Sequence, residues 1–163
     1  MNHLIKRVLF RSYALISITA FITAISFFSG HFLTWQEFAG IGAGILAFAF
    51  GIQKQHVEEM KLFKELFERF NARYDELHEQ LNCIYLRSQR EPDSEFALEE
   101  LATLFKYFNL CGEEYFYFHQ GFIDPGVWIA WENGMEFFRR SAKIKKLWGQ
   151  ELCNNSYYGL TFD

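Results

Sequence analysis

Residues 12–53 read SYALISITAFITAISFFSGHFLTWQEFAGIGAGILAFAFGIQ, and Glu37 is the one Asp, Glu, Lys or Arg among them. The first part, about 12–30, meets the roughly 20-residue length needed to cross a hydrocarbon core. The second, about 38–53, is shorter at ~1.5 Å of rise per residue. Trp35 at one end, with Gln53 and a snorkelling Lys54 at the other, can extend it to the interfaces. A cleaved signal peptide would account for the first run and its basic flank of Lys6, Arg7 and Arg11. That run is long for such a peptide, lacks a convincing small-x-small cleavage site and is followed at once by another apolar run. A buried core helix would account for the second run alone. A transmembrane hairpin over residues 1–53 accounts for both.

Orientation follows from the basic residues. Lys6, Arg7 and Arg11 flank the first helix, Lys54, Lys61 and Lys64 follow the second, and the connecting residues 30–37 contain no Lys or Arg. The positive-inside rule then places both termini in the cytoplasm. The second helix is rich in small residues. Gly40 and Gly44 form a GxxxG pair, and Ala47 and Gly51 continue the same face. Such a stripe lets helix backbones approach closely in lipid. It fits self-association, and it fits packing of the hairpin on itself.

From residue 54 the texture changes to a charged amphipathic helix reaching about residue 88. Met60, Phe63, Phe67, Phe70, Tyr74, Leu77, Leu81 and Ile84 recur at spacings of three and four, a heptad-like seam. Charged residues, Arg73 among them, occupy the remaining surface. This stalk either self-associates or carries the distal domain folded back onto it.

The polar stretch at 89–94, containing Pro92, is the linker to a cytoplasmic domain over 95–163. Asp93 or Ser94 is expected to cap a helix running to about Leu110. Gly112 then punctuates, and Glu113 and Glu114 suit the first turn of a next helix ending near Gly121. Asp124 as N-cap with Pro125 behind it starts another. Ser141 starts a last one, ending around Trp148, with a loose tail from Asn154. Only two prolines interrupt the chain, and no turn-bounded series of alternating β-branched residues recurs. The fold class is therefore an all-α membrane protein: hairpin, stalk and small helical bundle.

The chain has 163 residues, half of them hydrophobic and 20 of them Phe, with a net charge of -4. That balance does not announce a nucleic-acid binder. No HExxH, phosphate-binding glycine loop, GxSxG or dinucleotide fingerprint occurs. The expectation is a non-enzyme without catalytic residues, cofactor, metal or small-molecule substrate. Asp75 and His78, at i and i+3, lack a second such pair to complete a metal site. Cys83, Cys111 and Cys153 show no zinc spacing and are expected to be reduced structural residues. Arg139, Arg140, Lys143, Lys145 and Lys146 form a basic cluster, suited to lipid headgroups or phosphates, or to helix C-termini.

Residues 104–140 read LFKYFNLCGEEYFYFHQGFIDPGVWIAWENGMEFFRR. With its FNLCGEEYF helix, GFID turn and Trp-containing helix, this stretch resembles small bacterial membrane proteins associated with phage abortive infection. The overall plan is similar to the two-transmembrane effectors of retron anti-phage systems. The resemblance implies a toxic effector in the bacterial inner membrane, silenced by a partner and released on infection. In a retron that partner is a reverse transcriptase with its RNA-linked single-stranded DNA. Gly40 and Gly44 would carry assembly, and Tyr115, Tyr117, Trp128, Trp131, Arg139 and Arg140 would form the partner surface. The alternative is a constitutive, non-toxic adaptor tethering a cytoplasmic partner.

Overall fold

The computed structural model describes residues 3–153 and 156–161, without the side chains of residues 3–7 and 9–11. The side chains of Lys6, Arg7 and Arg11, and the tail position Asn154, lie outside the described residues. Five helices and no strand are present among those described: α1 (His3–Ser29), α2 (Trp35–Arg90), α3 (Leu98–His119), α4 (Pro125–Arg139) and α5 (Ala142–Leu152). The chain divides into two units, residues 1–61 and 62–163.

In the first unit, α1 and the start of α2 are long and apolar enough to cross a membrane. The turn between them is closed by backbone chemistry at both ends. The Phe32 N–H donates to the Phe27 carbonyl and the His31 N–H to that of Phe28, each at 3.0 Å. His31 takes a left-handed φ of 60°, and the Phe27 and Phe32 rings lie 6.0 Å apart. This is a Schellman stop with its usual apolar contact. Thr34 and Glu37 then form a capping box. The Thr34 N–H and hydroxyl donate to the Glu37 carboxylate at 2.8 and 2.7 Å, and the Glu37 N–H returns to the hydroxyl at 3.3 Å.

The hairpin packs through one face of α2. Phe38 stacks on Phe28 with ring centroids 4.8 Å apart, and Phe38, Gly42, Ile45, Ala49 and Ile52 are half-buried. Gly40, Gly44, Ala47 and Gly51 face the other way and are exposed. No neighbour stands within 4 Å of where a Cβ on Gly40, Gly42, Gly44 or Gly51 would lie. The small-residue stripe thus lies on the exposed side of α2.

In the second unit the chain's own helices occupy the stalk seam. Leu66 and Phe70 are buried with Leu110 and Ile123, and Phe63, Tyr74 and Trp131 pack against them. Further along, Leu81 and Ile84 join Leu104, Phe108, Phe138 and Trp148, with Leu77 at the margin. Phe67 is 38% exposed but stacks on Trp131 at 6.2 Å. The core is built largely from ring pairs, such as Phe108 on Trp148 at 4.4 Å and 16°. Each such pair contributes about 0.5–1.5 kcal/mol beyond its area burial.

Three expectations are corrected here. Helix α3 starts at Leu98 with Ala97 as N-cap, later than Asp93 or Ser94. Those residues sit in the turn after α2, while the Glu100 carboxylate accepts from the Ala97 N–H at 2.8 Å. Gly112 does not end a helix, because α3 runs through it to His119. Its missing side chain lets Tyr157 approach, since a Cβ there would stand 3.1 Å from the Tyr157 Cβ. Cys83 and Cys153 are exposed, so only Cys111 is a buried structural cysteine.

The α3–α4 turn repeats the construction of the hairpin turn. Phe122 N–H donates to Tyr117 and Gly121 N–H to Phe118, and Gly121 has φ 78°. Two residues on, the Asp124 carboxylate accepts from the Gly126 N–H at 2.7 Å, with Pro125 behind the cap. Ser141 likewise caps α5 by accepting from Ile144 N–H at 3.3 Å. Its hydroxyl also lies 2.7 Å from that of Ser88, a buried pair linking α5 to α2.

Candidate functional site

The unbroken α3 places Tyr107, Cys111, Glu114 and Phe118 at spacings of four, three and four, all on one face. That face belongs to the core, so Glu114 occupies an apolar register position and is only 6% exposed. Its carboxyl makes no hydrogen bond or ion pair among the described residues. Asn71 and Tyr74 approach from α2, and Trp131, Gly134 and Met135 from α4. Together with Tyr107 and Glu114 they line a recess of about 180 Å³.

The electrostatics follow from burial. Loss of solvent pushes the Glu114 carboxyl up to about 8, with the Arg73 guanidinium opposing and the Glu113 carboxylate adding to the rise. The same desolvation raises the Tyr74 and Tyr107 hydroxyls and holds the Cys111 thiol well above its ordinary value. Cys111 is accordingly a protonated thiol at neutral pH, not an activated nucleophile.

Arg73, read from sequence as a solvated charge, and Glu113, read as a helix-terminus charge, meet across the helices. The Arg73 Nη1 and Nη2 donate to the two Glu113 oxygens at 2.5 and 3.1 Å. This fork-on-fork pairing binds α2 to α3 beside the recess. Glu113 and Glu114 therefore do not decorate a helix N-terminus. Both sit in mid-helix, Glu113 paired with Arg73 and Glu114 turned into the core.

The expected partner surface divides. Trp128 is buried at 6% exposure and stacks on Phe118 at 5.0 Å and 10°, so it is a core residue and not part of a surface. Tyr115 packs edge-on against Trp128 at 5.6 Å. Tyr117 and Trp131 are half-buried around Phe70. Arg139 bonds Glu136 at 2.6 Å, and Arg140 is exposed. Lys143 lies 4.1 Å from the Phe96 ring centroid and donates to Ser94 at 3.1 Å. The basic cluster is thus partly spent on holding the turn before α3.

Other candidate residues stand apart. Asp75 and His78 are exposed, and His78 lies against the Tyr74 ring at 5.1 Å. Among the described residues, no three His, Cys, Asp or Glu side chains converge as metal ligands would. The Glu114 recess was missed in the sequence because Gly112 read as a helix break. Carrying the three-and-four spacing through the glycine would have put Glu114 on the apolar stripe.

Fold and site together define an all-α protein with two helices of membrane-crossing length and an aromatic helical unit enclosing a buried acid. No family model, no curated protein and no solved structure matches the chain.

Proposed function

We propose that this chain is a membrane-embedded, non-enzymatic effector of an abortive-infection or retron type of anti-phage system. It is held silent by a partner complex and disrupts the bacterial inner membrane on release. The observation carrying this reading is the uncovered stripe of Gly40, Gly44, Ala47 and Gly51 on the outside of the hairpin. A small-residue face left open in lipid is suited to a second helix, so copies of the chain associate through it. The resemblance over 104–140 supplies the defence context and places partner contact on that region, with Tyr117, Trp131 and Arg140 its accessible side chains. Both termini and the helical bundle are then cytoplasmic.

The test is membrane potential and viability after inducing the chain alone in a bacterium, beside a Gly40→Leu/Gly44→Leu variant. Rapid depolarisation relieved by the bulky pair is the expected result. Unchanged potential at verified membrane expression would overturn autonomous toxicity and leave the adaptor that tethers a cytoplasmic partner.

A further inference from the structure

The helical unit encloses a carboxyl with no partner of its own. Glu114 is 6% exposed and borders a recess of about 180 Å³ whose lining residues include Tyr74, Tyr107 and Trp131. Burying an ionisable group without a partner is costly, and the usual remedies are an opposite charge or a proton. Arg73 is close enough to matter but is committed to Glu113 in a two-pronged pairing. With Glu114 ionised, Arg73, Glu113 and Glu114 leave one net negative charge at the recess. Aromatic faces around a negative charge are the surroundings in which a desolvated organic cation is favoured, because ring quadrupoles and carboxylate attract it together.

We propose that this recess is a binding site for a small alkylammonium ion, with Glu114 as its counter-ion and Tyr74, Tyr107 and Trp131 as its aromatic walls. Asn71 also lines the recess, and its amide oxygen dipole attracts a cation's positive charge. The volume holds a few ordered waters or one alkylammonium head, and excludes a nucleotide or a peptide. The site is independent of the effector reading, because it lies wholly within residues 62–163 and needs no membrane assembly.

Binding a cation to the carboxylate requires loss of the Glu114 proton, so affinity must rise with pH. The titratable groups facing Glu114 are Arg73 and Tyr74 from α2 and Tyr107, Cys111 and Glu113 from α3. The α4 side contributes Trp131, Gly134 and Met135, none of which titrates. His78 and Asp75 are exposed beyond Tyr74. The Cys111 thiol and the two tyrosines are held above their ordinary values, which leaves Glu114 as the group that sets the dependence. From a carboxyl titrating at about 8, the dissociation constant should fall roughly 90-fold between pH 6 and pH 9.

The experiment is calorimetric titration of the full chain in maltoside micelles with tetramethylammonium chloride, at pH 6 and pH 9 and constant ionic strength. The probe's charge does not change over that range. Saturable one-to-one binding is expected, tighter at high pH, abolished in Glu114→Gln and weakened at least tenfold in Trp131→Leu. Circular dichroism of both variants establishes that they are folded. Repeating the titration in phosphatidylcholine discs separates two sources of the same chemistry. Unchanged affinity there assigns a free amine, and competition by the lipid assigns a headgroup. Absence of saturable heat at both pH values, binding unaffected by Glu114→Gln, or equal binding of sodium would overturn the proposal.

Discussion

Replacing Glu114 with Gln should stabilise the helical unit, by an amount set by pH. In the folded chain the carboxyl titrates at about 8, against 4.5 for an ordinary glutamate. Between those values the folded state holds a proton that the unfolded state has released. Stability therefore falls as pH rises, by up to about 1.4 kcal/mol per pH unit, and levels off above 8. At pH 7 the difference of 2.5 units corresponds to about 3 kcal/mol of stability lost relative to pH 4. Gln has nearly the shape of the protonated acid and no charge to lose. Glu114→Gln should match the parent near pH 4 and exceed it by about 3 kcal/mol at pH 7. Urea unfolding of the full chain in detergent, followed by tryptophan emission, reads this directly. Trp128, Trp131 and Trp148 all lie in the helical unit, and Trp35→Phe silences the fourth. A difference that does not vary with pH, or a less stable variant at pH 7, would refute the argument that desolvation governs Glu114.

The glycines should separate by their surroundings. Gly112→Ala places a Cβ 3.1 Å from the Tyr157 Cβ and 3.4 Å from its Cα, so overpacking should cost about 1–2 kcal/mol despite the better helix former. Gly149→Ala meets nothing within 4 Å on α5 and should instead gain about 0.5–1 kcal/mol in the same urea assay. Asp124→Ala removes the acceptor for the Gly126 N–H at 2.7 Å and should lower the urea midpoint by an amount equivalent to about 1 kcal/mol. Asp124→Asn should recover most of that loss.

Much of this architecture was legible because its signals are local. An uncharged run of membrane-crossing length announces itself without reference to any partner. The seam through Phe63, Phe70, Tyr74 and Leu81 follows from helical spacing, and Asp124-Pro125 and Ser141 are caps whose acceptors act within three residues. The Thr34–Glu37 capping box was equally local and lay in plain view as Thr-x-x-Glu. Where the reading failed, the missing quantity was a neighbour. Gly112 can end a helix or admit a close contact, and only the approach of Tyr157 selects between them. Trp128 suits a binding surface until Phe118 and Tyr115 close over it.

What the sequence by itself determined is therefore the all-α class, the caps that start α4 and α5, and the apolar seam that α2 must cover. Spacing, capping groups and hydropathy act over a few residues and carry that information in the chain. The tertiary structure alone decided which faces are covered and which are left. It left Phe38, Ile45 and Ala49 half-buried and Gly40 and Gly44 exposed. It also paired Arg73 with Glu113 across two helices, and buried Glu114 among residues as far away in sequence as Asn71 and Met135. Burial is a property of what packs against a residue, and a carboxyl acquires its proton from that packing and not from its place in the sequence.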